Sequence, residues 1–364
     1  MNRRNFLRRA ALLSATAVLP RAAFGEPAPF DPRPGNWRVF EIVTRVELAQ
    51  PAASSRVWLP LPSVEDPAWV KPMGNLWSGN ADTMQLRQEP KYGAQMLCAQ
   101  WSDGTPSPWI ELVSRAATRD RAIDWSAPDP GLRLDRSTAR LYTEPTSLLP
   151  TDGIVRKTAR QACKNAKTDE ERARAIYEWI VDNAFRDPTV RGCGLGDIRT
   201  MLETGNLGGK CADLNALFVG MCRSMDIPAR DVYGIRVADS RFGYQSLGKS
   251  GDVTKAQHCR AEVWLPRFGW IPADPADVRK LVLEEQPGLT LRDPIVQAVR
   301  EKLFGAWETN WLPYNFAHDV SLPGSSGPKV PFLMYPQGEN VDGKLDSLDP
   351  DSFRYRILAR EVAL

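Results

Sequence analysis

Gly208-Gly209-Lys210-Cys211-Ala212-Asp213-Leu214-Asn215-Ala216-Leu217-Phe218 is the stretch that most restricts the folds open to this chain. Leu214, Leu217, Phe218, Met221 and Met225 recur at steps of three and four, the pattern of a helix with one buried stripe. Two glycines lead into it and Pro228 stops it. The spacing therefore predicts a helix whose first turn holds Cys211. There the unpaired N–H groups and the helix dipole favour negative charge and lower a thiol's pKa from about 8.5. Such a thiol is one half of a nucleophile.

Residues 257–275 supply the other half. Cys259, Ala261, Val263 and Leu265 alternate with Arg260, Glu262 and Trp264, a strand with two unlike faces, and Phe268-Gly269 turns the chain into a second short strand. With Trp264 opposite Trp270, Asp274 stands opposite Arg260 and is a diagonal neighbour of His258 on the same face. A tighter turn would bring Asp277 there instead. Taken singly, each residue has a plain structural reading: a packed cysteine, a structural histidine, an aspartate forming a turn before proline. Their joint spacing, in a chain with only two histidines, points to a nucleophile with its base.

These two stretches resemble the transglutaminase-like superfamily, a branch of the papain-type thiol enzymes. The likeness lies in the glycine-led Cys211 at a helix start, the Ile227-Pro228-Ala229-Arg230 that ends the helix, His258-Cys259-Arg260-Ala261-Glu262, and Trp270-Ile271-Pro272-Ala273-Asp274-Pro275. It covers residues 150–280. The resemblance implies Cys211 as nucleophile, His258 as base and acid, and Asp274 as the group that orients the imidazole. Arg260 departs from the aromatic residue that many relatives carry, which bears on the shape and charge of a substrate groove.

Met1-Asn2-Arg3-Arg4-Asn5-Phe6-Leu7 and the mildly apolar residues 10–19 form a twin-arginine export signal. Ala23-Phe24-Gly25 offers a cleavage site, and the apolar run is too short for a hydrocarbon layer of about 30 Å. Export to the periplasm is the expectation, with no stable membrane insertion after signal removal. Losing the five arginines of residues 1–25 takes the formal charge from +3 to −2. Nucleic acid is therefore not an expected partner.

The remaining chain divides into a β-rich N-terminal domain (26–148), a catalytic core (149–284) and a C-terminal extension packing on that core (285–364). Residues 40–48, 55–60, 94–101 and 109–116 read as strands. From about residue 150 the period changes. Ile154, Val155, Thr158, Ala159 and Ala162 mark one helix, the Thr168-Asp169-Glu170-Glu171 capping box opens a second, and residues 197–203 form a third closed by Gly205. Strands follow at 231–237, 258–265 and 270–274, so the fold class is α+β: a helical layer plus an antiparallel sheet, papain/transglutaminase-like by resemblance. Beyond it, 294–304 reads as an amphipathic helix and 352–359 as a closing strand. Between them Trp307, Trp311, Tyr314, Phe316 and Tyr335 are either core covering or an aromatic wall beside the groove.

Two lookalikes fail on context. Gly243-Tyr244-Gln245-Ser246-Leu247-Gly248-Lys249-Ser250 matches a phosphate loop by letters, but no helix can open between Ser250 and the strand at His258. Gly192-Cys193-Gly194-Leu195-Gly196-Asp197 has Asp197 where a dinucleotide fingerprint needs glycine. No nucleotide, cofactor or metal is expected, since two histidines and no paired cysteines make a poor zinc set. Five cysteines remain besides Cys211, an odd number, and Cys222 and Cys259 read as small buried residues. His318 reads as structural or rim. The expected activity is thiol-dependent acyl transfer at amide bonds of peptides or proteins, with hydrolysis favoured over cross-linking and cell-envelope peptides among the candidate substrates. The rival is a non-catalytic periplasmic binding module that keeps the fold.

Overall fold

The computed structural model describes residues 29–48 and 54–363. The expected export signal, residues 1–25, lies outside the described residues. Two five-stranded antiparallel sheets form the β-rich part. One runs, in spatial order, Gly251–Asp252, Arg354–Val362, Arg38–Glu47, Trp109–Thr118 and Val70–Gly79. The other runs Gly343–Leu345, Gln337–Asn340, Ser55–Pro60, Gln95–Trp101 and Thr83–Gln88. Val46, Val57, Leu59, Leu97, Ile110, Leu112 and Phe353 form their shared apolar core. Strands from the C-terminal segment thus pair with N-terminal strands in both sheets. Val70–Gly79 and Thr83–Gln88 escape the sequence pattern because each is an edge strand, largely exposed, and the first is bulged between Pro72 and Gly74.

The second part is α+β, as expected. A four-stranded antiparallel sheet has the order Gly269–Ala273, Gln257–Leu265, Ala229–Arg236, Trp311–Asn315. Gly153–Ala162, Asp169–Asn183 and Cys211–Ser224 form the helical layer, and Pro275–Glu284 follows the sheet's edge strand. Thr168 accepts from the Glu171 amide at 3.1 Å while Glu171 accepts from the Thr168 amide at 3.0 Å, the reciprocal cap read from sequence.

Cys211–Ser224, called the Cys helix below, departs from the one-stripe expectation: all its residues are buried, because helices cover the side turned away from the sheet. Several of its polar groups are met inside the protein. Arg223 donates to the carbonyls of Ala229 at 2.8 Å and Glu144 at 3.1 Å, and Ser224 to Met221 at 2.8 Å. The chain enters the helix through Gly208–Gly209, paired in parallel with Phe185–Arg186. A Cβ on Gly208 would lie 2.5 Å from the Phe185 ring, so only glycine lets the two segments close.

Candidate active site

Gln257–Leu265, the His strand, and Gly269–Ala273 pair with Trp264 opposite Trp270 and Ala261 opposite Ala273. This register sets Asp274 beside His258: His258 Nε2 lies 2.8 Å from Asp274 Oδ2 and 3.4 Å from Asp277 Oδ1. Both aspartates read from sequence therefore meet the ring, Asp274 more closely. Asp274 also caps the helix Pro275–Glu284, accepting from the Asp277 amide at 3.0 Å, and this double duty fixes its carboxylate. Asn215, one turn along the Cys helix from Cys211, donates to the Cys259 carbonyl at 2.8 Å and to Asp274 Oδ1 at 3.3 Å. It ties the helix to both elements that carry the His–Asp pair.

Asp213 holds the helix start. Its carboxylate accepts from the Lys210 amide at 2.9 Å, from Leu195 at 3.0 Å and from Gly196 at 2.9 Å, wrapping the 192–196 loop against the first turn. A Cβ on Gly194, at φ 90°, would fall 1.8 Å from Asp213 Oδ2. The Gly-Cys-Gly-Leu-Gly run that fails as a nucleotide fingerprint is the wrapping of this site. Its three glycines take positive φ so that the loop can turn on Asp213.

Cys211 lies at the first helical position, and its amide N–H has no acceptor among the described residues. Hydrogen bonds from the thiols of Cys193 and Cys259, and the hydrogen bond and charge of His258, hold its thiol well below the usual range against the cost of burial. Burial pulls His258 down, but Asp277 and Asp274 outweigh it and raise the imidazole to about 9. Burial likewise opposes ionisation of Asp277, yet Arg236 and His258 hold it well below the usual carboxylate range. The two shifts run in the directions that favour a charged thiol and a charged ring, and His258 Nε2 is turned to the carboxylates of Asp274 and Asp277.

Arg236 donates to Asp277 at 2.6 Å, and Arg260 Nε stands 3.5 Å from Asp274. His258, Asp274 and Asp277 are close enough together to grip a cation, but the two guanidinium groups already supply the positive charge there. Arg260 lines no groove. It is buried, donates to the Glu308 carbonyl at 2.9 Å, and lies 4.9 Å over Trp311 and 5.4 Å over Trp307. Those tryptophans are core: Trp311 donates to the His258 carbonyl at 2.8 Å and Trp307 to that of Ala273 at 3.3 Å. The motif residues Arg230 and Glu262 oppose each other across two strands and pair at 2.5 Å, with Arg121 on the same carboxylate. They lock the sheet and stand outside the chemistry. His318 is buried elsewhere, 3.3 Å from both the Tyr233 hydroxyl and Asp231.

Cys211 and His258 are each only 4% exposed. Cys193, itself buried, donates to the Gln257 carbonyl at 3.3 Å, and the side chains packed around Cys211 cover its thiol. All six cysteines are unpaired. No helix among the described residues is long and apolar enough to cross a membrane. After Ser250 the chain runs into the strand Gly251–Asp252, so the phosphate-loop lookalike opens no helix.

Residues 156–275 match the family described as the transglutaminase-like superfamily, a span that contains Cys211, His258 and Asp274. Those residues form a domain of the transglutaminase-like superfamily. An uncharacterised Haemophilus influenzae protein is 33% identical over 343 residues, spanning 89% of this chain and 92% of that relative. Among solved structures, a candidate cysteine protease from Cytophaga hutchinsonii superposes at a TM-score of 0.51 with 15% identity, covering 90% of this chain and 99% of the other. This likeness shows a shared fold across both parts of the molecule. The periplasmic domain of TgpA from Pseudomonas aeruginosa, at 15% identity, 73% and 93% coverage and a TM-score of 0.34, is a more distant match.

Sequence reasoning missed Cys193, Asp213, Asn215 and Arg236. Asp213 carried a signal, an acidic residue at the third helical position after two glycines. The others become visible only when distant segments meet.

Proposed function

We propose that this chain is an exported thiol enzyme that transfers acyl groups at amide bonds of peptides or proteins. The observation that carries the reading is His258 held 2.8 Å from Asp274 on the strand that Asn215 of the Cys helix bonds, with Cys211 at the first position of that helix. The thiolate attacks the carbonyl, His258 gives its proton to the leaving amine, and Asp274 keeps the ring oriented and offsets its charge. The free Cys211 amide donates to the developing oxyanion. Water then releases the acyl group. Hydrolysis is favoured over cross-linking because it needs no site for a second substrate. The twin-arginine signal supports a periplasmic location, where envelope peptides are available substrates.

The burial of Cys211 favours a second reading, a binding module with an idle thiol, since an amide substrate must first displace the cover. Alkylation decides between them. A working thiolate reacts with iodoacetamide at pH 6.5, two units below the ordinary thiol pKa of about 8.5, and His258→Ala slows it at least about tenfold. A rate no faster than that of a free thiol, or one indifferent to His258→Ala, would leave the binding reading. If alkylation succeeds, mass spectrometry of the acyl adduct trapped on Cys211 identifies the substrate.

A further inference from the structure

The Cys193 carbonyl accepts the Ala212 amide at 2.9 Å, which sets Cys193 directly alongside Cys211. Backbones joined by that bond are compatible with the α-carbon separation of about 4.4–6.8 Å that a disulfide spans. The Cys193 sulfur hydrogen-bonds the Gln257 carbonyl at 3.3 Å, next to His258, so it lies between the helix start and the His strand. Cys259 also reaches Cys211, but it sits inside a paired strand, whereas Cys193 is flanked by glycines at φ 58° and 90°. The thiols are not clustered for a metal: among the described residues the only close group of potential ligands is His258, Asp274 and Asp277.

We propose that Cys211 and Cys193 form a reversible peroxide-oxidised pair, with Cys211 the oxidised sulfur and Cys193 the resolving thiol. The step rests on the thiolate reading of Cys211. In it, the Cys211 thiolate attacks hydrogen peroxide; the O–O bond breaks, hydroxide leaves, and the sulfur becomes a sulfenic acid, oxidised by two electrons as the peroxide is reduced. Cys193 then attacks that sulfur. An S–S bond forms, the S–O bond breaks, and the Cys193 proton departs with the hydroxyl as water. The order follows from the charges. Cys193, donating to the Gln257 carbonyl at 3.3 Å, is kept a neutral thiol by burial and by the neighbouring charge of Cys211, and oxidising Cys211 removes that charge. The disulfide would protect the nucleophile from irreversible oxidation until a reductant restores it.

The test treats the full chain with hydrogen peroxide, labels it with iodoacetamide before and after dithiothreitol, and maps peptides without reduction. Cys211 labelling should fall at least about tenfold and return almost fully with dithiothreitol, and a Cys193–Cys211 peptide should appear. In Cys193→Ser, dimedone should trap Cys211 as a sulfenic acid and dithiothreitol should no longer restore labelling after excess peroxide, while Cys259→Ser should form the same Cys193–Cys211 peptide as the unaltered chain. A Cys211–Cys259 link, or sulfinic acid at Cys211 with Cys193 still free, would overturn the proposal. Failure of Cys211 to label before any peroxide is added would overturn the thiolate reading, and this proposal with it.

Discussion

His258 is the residue whose environment most controls the chemistry. The folded protein holds its proton up to about pH 9, whereas an unfolded imidazole releases it near 6.5. The linked stability is therefore fully present below about 6.5 and is lost as pH rises through about 9. Turnover should follow a bell whose alkaline limb lies near 9, where the proton for the leaving amine is lost. Because Asp277 is the strongest charge raising His258, Asp277→Asn should move that limb to lower pH; an unmoved limb would deny Asp277 this role. Arg236→Leu strands the Asp277 carboxylate in the interior and should cost about 3–5 kcal/mol in urea unfolding. Cys211, His258 and Asp274 could be proposed from the sequence because each sits at a position that local pattern defines: a helix start, a strand, a residue before proline. Arg236 was not, since its partner lies 41 positions away.

Among the elements, the Cys helix and the loop that wraps it act as one unit through Asp213. Asp213→Ala removes a helix cap, worth about 0.5–2 kcal/mol, and also frees the amides of Leu195 and Gly196. Both the melting temperature and the alkylation rate of Cys211 should fall; a change in melting temperature alone would mean the loop leaves the thiol's environment untouched. Gly209→Ala would set a Cβ 2.5 Å from the Asp213 Cβ and should damage the same unit. Gly205→Ala meets no neighbouring atom and should cost only the left-handed conformation, about 1–2 kcal/mol, with Cys211 reactivity kept. The helices of residues 153–224 and the His hairpin were readable because period and turn signals are local, whereas Arg136–Leu141 and Pro275–Glu284 were not read. The edge strands Val70–Gly79 and Thr83–Gln88 were not, because exposed residues leave no alternation to read.

At the scale of the whole molecule, the C-terminal segment is built into everything that precedes it. Its strand Trp311–Asn315 completes the sheet beside Ala229–Arg236, and Arg354–Val362 pairs along Arg38–Glu47. A fragment of residues 149–284 should therefore unfold without a cooperative transition, measured by circular dichroism against urea, although it contains Cys211, His258 and Asp274. Cooperative unfolding of that fragment would show that Trp311 and its strand are dispensable to the core. The amino-acid order by itself determined the helices of residues 153–224, the His hairpin, and a sulfur, ring and carboxylate to propose as partners, because these depend on spacings of a few residues. Only the tertiary structure decided what surrounds them: the second and third thiols at Cys211, the guanidinium groups behind the aspartates, and the closing of both β-sheets by the chain's far end. Those contacts join residues tens to hundreds of positions apart, and no local periodicity encodes which distant surfaces will be buried against each other.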